Sequence, residues 1–554
     1  TYDNIGRRTS VKTYPQVTMS TYTYGWGSSA KKRYYIKEEC TASPYVVTWY
    51  DNVSRPVLTE TLGEDSVLIT KEKLYDRNGK IGKITSTTGN TSHNVLYSYD
   101  FLERISMEHS SMGTDKIYVY ENMKVKEFGT IPAMTKTFDE WGNIKTITDV
   151  DGASVQYTYN SNGNAEKIVA DGAVFQMEYD AKGQQTSLTD ADAGKTTYTY
   201  DALGRIIKQV DYKGIVTTNT YDKSGLLTKT TCGDVTSTYT YDMRQRLISE
   251  TTGSESISYQ YNTKNQLTRK TITVDSTRDL VFRYFYNALN QNYLMYYPDN
   301  TSERYYYDAI GNVNRVVFNG QDVWKLTSNN GRTRKAQLRD SLYRYEYRAA
   351  DGYLSYTSFM YKSSYLNNLS YNFDKKKNLL LSRNSMLTGR RTEYFSYDSH
   401  DRLVETKISG NSQYVEYAPN GNITEKTNIG TYTYDSNRPH AVVEVENYAG
   451  TVSEVPQYIT YTPFNKVATV SQGDYQLSIT YGSDRQRCKT ELSRNDTLLY
   501  TRYYADNYEE VHEGNNVYRY YYVYTPDGLS AVAEKKNTTM NIYSSETDYL
   551  GSIV

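Results

Sequence analysis

The side chains of this sequence that could do chemistry are few and scattered. There are five histidines (His93, His109, His400, His440, His512) and three cysteines (Cys40, Cys232, Cys488). Imidazoles and thiolates become metal ligands or nucleophiles when a fold or a short motif clusters them. Here no CxxC or HExxH spacing occurs, and no G-x-S-x-G elbow or P-loop is present. An odd set of distant cysteines argues against both a disulfide framework and a zinc site. Asp149-Val150-Asp151-Gly152 and Asp190-Ala191-Asp192-Ala193-Gly194 offer oxygen ligands in the manner of a calcium loop. Both lack the DxDxDG opening and the closing glutamate, and each falls where a strand-to-strand turn is due. The histidines belong to different stretches and would meet only if the chain brought distant parts together. The expectation is no catalytic, cofactor or metal residue, and no enzyme.

The most frequent acidic residue in a fixed context is the aspartate of a Tyr-Asp pair. A catalytic carboxylate is needed once, whereas a turn former is needed in every unit of a repeat. In Tyr198-Thr199-Tyr200-Asp201-Ala202-Leu203-Gly204-Arg205 the two tyrosines share one face of an extended strand. Asp201 can accept from a backbone N–H two residues on, and Gly204 can take the positive φ that closes a bulged hairpin. Ile206 and Ile207 then begin the next strand.

The elements that must carry these side chains are therefore short strands. The code is loose over 1–137, with copies at Tyr2-Asp3, Tyr50-Asp51, Tyr75-Asp76 and Tyr99-Asp100. In the last of these, Glu103 stands where glycine would be easiest. Over 138–320 the pairs Phe138-Asp139, Tyr159-Asn160, Tyr179-Asp180, Tyr200-Asp201, Tyr221-Asp222, Tyr241-Asp242 and Tyr261-Asn262 recur about every 20 residues. The code degenerates over 321–372 and returns over 373–554, from Phe373-Asp374 and Tyr397-Asp398 onward. Such a period predicts a repeat array in which each unit contacts mainly its neighbours. Lys375-Lys376-Lys377 reads as a solvated turn tip.

Composition agrees with an all-β chain. Tyrosine accounts for 62 of 554 residues, and the net charge of −1 offers no basic face for nucleic acid. A mean hydropathy of −0.74 excludes a thick aliphatic core and suits sheets of tyrosine and threonine ladders. No apolar run is long enough to span a membrane as a helix. Recurrence of Tyr198, Tyr200, Tyr239, Tyr241, Tyr259 and Tyr261 at the period favours ladder packing over aromatic platforms for glycans.

The full copies Tyr200-Asp201-Ala202-Leu203-Gly204-Arg205 and Tyr2-Asp3-Asn4-Ile5-Gly6-Arg7 resemble the YD-repeat, or RHS-repeat, family. Tyr307 to Asn312 and Gly421-Asn422-Ile423 are similar to its Gly-Asn variant. The resemblance covers essentially the whole chain. It implies an antiparallel β-hairpin array that winds as a teneurin-like spiral sheet, here an open segment of a hollow shell. It also implies a structural role: the casing of a secreted bacterial polymorphic toxin, enclosing a C-terminal effector of the same polypeptide and bounded by capping domains. The alternative is a cell-surface adhesin that binds glycans or a receptor. Either way the location is outside the cell or on its surface. Thr547-Asp548-Tyr549-Leu550-Gly551-Ser552-Ile553 resembles the opening of the family's C-terminal core. The family's autoproteolytic aspartates lie beyond that point and map to no residue here. The chain starts on Thr1-Tyr2-Asp3, inside a repeat, so an uncovered sheet edge and self-association are expected.

Overall fold

A computed structural model describes all residues except 13–18, 30–31, 41–42, 64–65, 112, 114, 130–132, 348–352, 363, 375–377, 387–390, 448–449, 451–454, 549 and 554. Lys375, Lys376, Lys377 and Tyr549 thus lie outside the described residues. The all-β expectation holds: the described residues form 50 strands and no α-helix. Strands from Ser10–Lys12 to Val442–Asn447 make one 41-stranded sheet, and those from Gln457–Tyr461 to Thr539–Ser544 a 9-stranded one. Among the described residues, Val442–Asn447 and Gln457–Tyr461 do not pair with each other.

One unit shows why the sequence folds this way. Strand Gly194–Tyr200 pairs antiparallel with Ile206–Val210, Thr199 opposite Lys208 but Tyr200 opposite Ile206, so a bulge falls at the tyrosine. In the turn between them, the Asp201 carboxylate accepts from the N–H groups of Leu203 (2.9 Å) and Arg205 (3.0 Å). The N–H of Gly204 donates to the Asp201 carbonyl at 3.1 Å. Gly204 has φ +83° and Glu103, at the same place in its own turn, φ +62°. Both adopt the left-handed conformation, Glu103 against the preference of a residue with a Cβ.

Successive hairpins do not simply follow one another in a line. The sheet curls until turns from distant repeats touch, which adds a second set of contacts to the expected neighbour packing. Thr91 donates its hydroxyl to the Gly331 carbonyl, and Lys213 its ammonium to Asn465 Oδ1 at 2.9 Å, across 240 and 252 residues. Later contacts span fewer: 236 for Lys270 and Asp506, 203 for Trp324 and Asp527, and 165 for Arg383 and Asp548. The coil therefore tightens toward the C-terminus. There the last strands lie face to face with the preceding coil, and the core forms between them. Phe282, Tyr297, Phe318 and Trp324 meet Tyr508, Tyr521, Val523 and Ala533, all buried.

Candidate functional site

Three constructions in the wall bear on what it does. The first is the lock between consecutive units. Arg205 Nε donates to Asp201 Oδ2 at 2.6 Å, and its guanidinium lies 4.5 Å over the ring of Tyr221 in the next unit. The Tyr221 hydroxyl in turn donates to the Ile206 carbonyl at 3.0 Å. The arrangement recurs with Arg55 on Tyr75, Arg104 on Tyr120, Arg246 on Tyr261 and Arg402 on Tyr417. The backbone N–H of Arg205, helped by its guanidinium, holds Asp201 below the usual carboxylate range. The Arg-over-Tyr contact was not part of the sequence reading, although the succession of an arginine in one unit's turn and a tyrosine at the end of the next unit's strand was visible.

The second construction is the seam between coils, where the acidic clusters and two of the histidines come together. Asp149 Oδ1 accepts from the N–H groups of Asp151 (3.0 Å) and Ala153 (2.9 Å), and Asp190 Oδ1 from those of Asp192 and Ala193 (both 2.8 Å). These are turn bonds. His400 Nε2 then lies 2.9 Å from Asp149 Oδ2 and 3.4 Å from Asp151 Oδ2. His440 Nδ1 lies 2.7 Å from Asp192 Oδ2, and its backbone N–H donates to Asp192 Oδ1 at 2.9 Å. Burial works against the charge on Asp149, but the bonds from His400, Ala153 and Asp151 outweigh it and hold the carboxyl below its ordinary range.

Ser399, His400 and Asp149 bring a hydroxyl, an imidazole and a carboxylate together, yet the hydroxyl donates to Asp151 Oδ2 at 2.8 Å and is 3.4 Å from His400 Nδ1. That geometry fastens two coils instead of activating a nucleophile. Of the other histidines, His93 faces Ser86 across its strand pair, His109 bonds Asp115 at 2.6 Å, and His512 bonds Glu510 at 2.6 Å. Among the described residues, no three His, Cys, Asp or Glu side chains are placed to hold a metal ion. The cysteines stay apart and free, and burial together with nearby Glu255 pushes the Cys488 thiol up.

The third construction is a set of buried carboxylates where the last strands lie on the preceding coil. Glu303, 2% exposed, accepts from the hydroxyls of Tyr297 (2.6 Å) and Tyr305 (2.7 Å). Asp299 accepts from Lys535 Nζ at 2.6 Å and the Tyr521 hydroxyl at 2.7 Å. Glu510 accepts from Tyr508, Arg519, Arg278 and His512. Asp527 accepts from Arg334 and from Trp324 Nε1. Finally the strap Ser545–Thr547 is fixed by Asn367 Nδ2 to Glu546 Oε1 at 2.9 Å and by the Tyr343 hydroxyl to the Thr547 carbonyl at 2.7 Å.

Glu546 supports a prediction about pH. Burial pushes its carboxyl up to about 7, against the pull of Asn367. The folded form therefore holds a proton that the unfolded chain releases near pH 4.3. Its contribution is fully present below that value and is lost as pH rises through about 7. Glu546→Gln keeps the acceptor for Asn367 without the charge. At pH 8 it is expected to stabilise the strap by on the order of 1–2 kcal/mol, with no gain at pH 4. Amide exchange of the strap at the two pH values measures this, and an equal effect at both would refute it.

Comparison with known proteins accords with this architecture. Residues 138–174 and 179–216 match the RHS Repeat family, and residues 215–359 match the Teneurin YD-shell. No curated protein matches the sequence. The crystal structure of TcdB2-TccC3 superposes with a TM-score of 0.78 at 12% identity, covering 97% of this chain and 35% of that one. TcdB2-TccC3 without its hypervariable C-terminal region gives 0.78 at 12%, covering 97% and 34%. The Photorhabdus luminescens Tc holotoxin pore gives 0.76 at 12%, again covering 97% and 34%. The likeness is one of fold, and the chain spans about a third of the length of these structures.

Proposed function

We propose that this chain, an RHS-repeat and YD-shell protein, is a stretch of the wall of a toxin shell that encloses an effector carried by the same polypeptide. One observation carries the reading: the 41-stranded sheet curls until turns of distant repeats meet, and the seam is fastened turn to turn by pairs such as His400–Asp149 and His440–Asp192. A wall of this kind works sterically. Its strand edges are consumed by the next hairpin, so few are left to recruit other chains, and what lies inside is separated from solvent.

The wall's own side chains are engaged in holding it together. Repeat tyrosines are tied to backbone carbonyls, several of them beneath an arginine, and Glu303, Asp299, Glu510 and Asp527 each collect two or more donors. In this reading the chain is a scaffold and not a catalyst. Its partners are the effector segment and capping domains at the ends of the shell, and its place is outside the producing cell.

The test uses the natural polypeptide with its own flanking sequence. Electron cryo-microscopy should show the effector segment within the coil, and trypsin should spare that segment until the shell is unfolded. An effector lying outside the wall, cleaved as fast in the intact protein as in the unfolded one, would refute the proposal.

A further inference from the structure

On the Asp192 side of the seam, strands Leu247–Thr252 and Glu255–Tyr261 form one hairpin, with Glu250 opposite Ile257 and Thr252 opposite Glu255. Glu250 and Glu255 are therefore diagonal neighbours on one face, their Cβ atoms about 7–8 Å apart. Both are buried, at 6% and 4% exposure. A buried carboxylate is ordinarily paired with a cation, as Glu510 is with Arg278 and Asp527 with Arg334. Among the described residues, neither Glu250 nor Glu255 has such a partner. Glu250 takes one hydrogen bond, from the Tyr259 hydroxyl to Oε1 at 2.7 Å, and its Oε2 is left over. Glu255 receives neutral donors: the Ser254 hydroxyl at 2.8 Å, the Asp275 N–H at 3.1 Å and the Cys488 thiol.

The cations nearby are spent elsewhere. The Arg485 guanidinium lies 5.3 Å over the Phe464 ring, that of Arg487 4.9 Å over Tyr504, and Lys270 donates to Asp506 at 2.6 Å. The two acids open instead on adjoining cavities. Glu250 lines one of about 520 Å³ and Glu255 one of about 290 Å³, and Thr230, Cys232, Phe464 and Arg485 line both. The opposite side of the seam supplies the turn 481–486. There Ser483 also lines the larger cavity; it is 5% exposed, and its hydroxyl has no partner. The smaller cavity has an apolar stretch of wall at Val235, Ile479 and Phe464.

We propose that this seam cavity binds a linear aliphatic diamine, one ammonium at Glu250 and the other at Glu255, with the methylenes against Val235, Ile479 and Phe464. The lining selects that class. A bare metal ion finds no ligand set, because no three His, Cys, Asp or Glu side chains of the described residues converge. A monoamine would neutralise one acid and leave the other buried without a counter-charge. Two nitrogens joined by four methylenes span about 6 Å when extended, which suits the separation of the two strands' acids. Ser483 offers the ligand a further acceptor from across the seam, so the diamine would clamp the two coils from within.

Isothermal titration calorimetry on the whole chain tests this, with putrescine as the probe at about 0.15 M salt to screen exposed charges. One equivalent is expected to bind with a Kd of about 0.1 mM or lower. Ethylenediamine, too short, and n-butylamine, with one charge, should each bind at least about 10-fold more weakly, and magnesium should not compete. Glu250→Gln and Glu255→Gln should each weaken putrescine at least about 10-fold, whereas Glu444→Gln, at an exposed acid, should leave it unchanged. If a glutamine variant does not fold, the amine series on the unaltered chain decides. The proposal is overturned by no binding up to about 5 mM putrescine, the result expected if the two acids hold protons instead. It is equally overturned by n-butylamine binding as tightly, or by folded glutamine variants that bind as well as the unaltered chain.

Discussion

Replacing Tyr521 with alanine is expected to cost about 3–5 kcal/mol and to separate the last strands from the coil beneath them. The ring is fully buried, with ring centres of Tyr297 and Phe318 at 5.1 Å and Tyr508 at 5.3 Å. Truncation removes that packing and leaves a void walled by aromatic rings that cannot collapse into it. The hydroxyl is a smaller part of the effect. Asp299 keeps Lys535 when Tyr521 becomes phenylalanine, so Tyr521→Phe should cost about 1 kcal/mol. Amide exchange is the suitable measurement, because so long a repeat wall need not unfold as one unit. Strands Asn516–Thr525 and Val313–Phe318 should lose protection together. A cost for Tyr521→Ala no larger than that of Tyr521→Phe would show that the two layers are not held by this cluster.

Glu510→Ala should be of similar size for a different reason. The carboxylate is 3% exposed and collects Arg278, Arg519 (3.0 Å), His512 (2.6 Å) and the Tyr508 hydroxyl (2.7 Å). Removing it strands two guanidinium groups side by side in a largely buried place. Breaking one partner of a buried ion pair typically costs about 3–5 kcal/mol, most of it from the charge left behind. Burial and the two arginines already hold His512 below its ordinary pKa, so the imidazole does not add a third charge at neutral pH. Glu510→Gln, which keeps the acceptor but not the charge, should fall between the wild type and the alanine variant in chemical denaturation. A glutamine variant as damaged as the alanine one would place the effect in shape and not in charge.

Much of this fold could be read from the sequence because its determinants are local. Asp201 and Gly204 specify a turn within five residues, and Tyr198 and Tyr200 fix the face of a strand by alternation alone. Even Glu103, a residue ill suited to its conformation, was placed by the repetition around it. The seam could not be read in the same way. His400 meets Asp149 across 251 residues, a distance set by small twists summed over many strands, and no single residue encodes that sum. The buried carboxylates fall between these cases. Glu303 shares a strand face with Tyr305 and Tyr307, and Glu510 with Tyr508 and His512, so an acid set among aromatics on one face was a visible signal. It was hidden by the habit of reading glutamate in a polar strand as solvent-facing.

The return of the coil after roughly 240 to 252 residues has a further consequence, for how such a gene can change. Hairpins close on their own aspartates, so a single unit could be duplicated or lost without spoiling any turn. The circumference, however, acts as a vernier. Adding one unit between Asp192 and His400 slides His400 off Asp149 and His440 off Asp192, as it does any tip whose partner lies on the other side of the insertion. Recombination within a coil is therefore penalised at once at every seam contact that straddles it, while exchange of whole coils preserves them. Lineages of this wall should differ in the number of complete windings and in the side chains at the tips, and agree in how many units make up each winding.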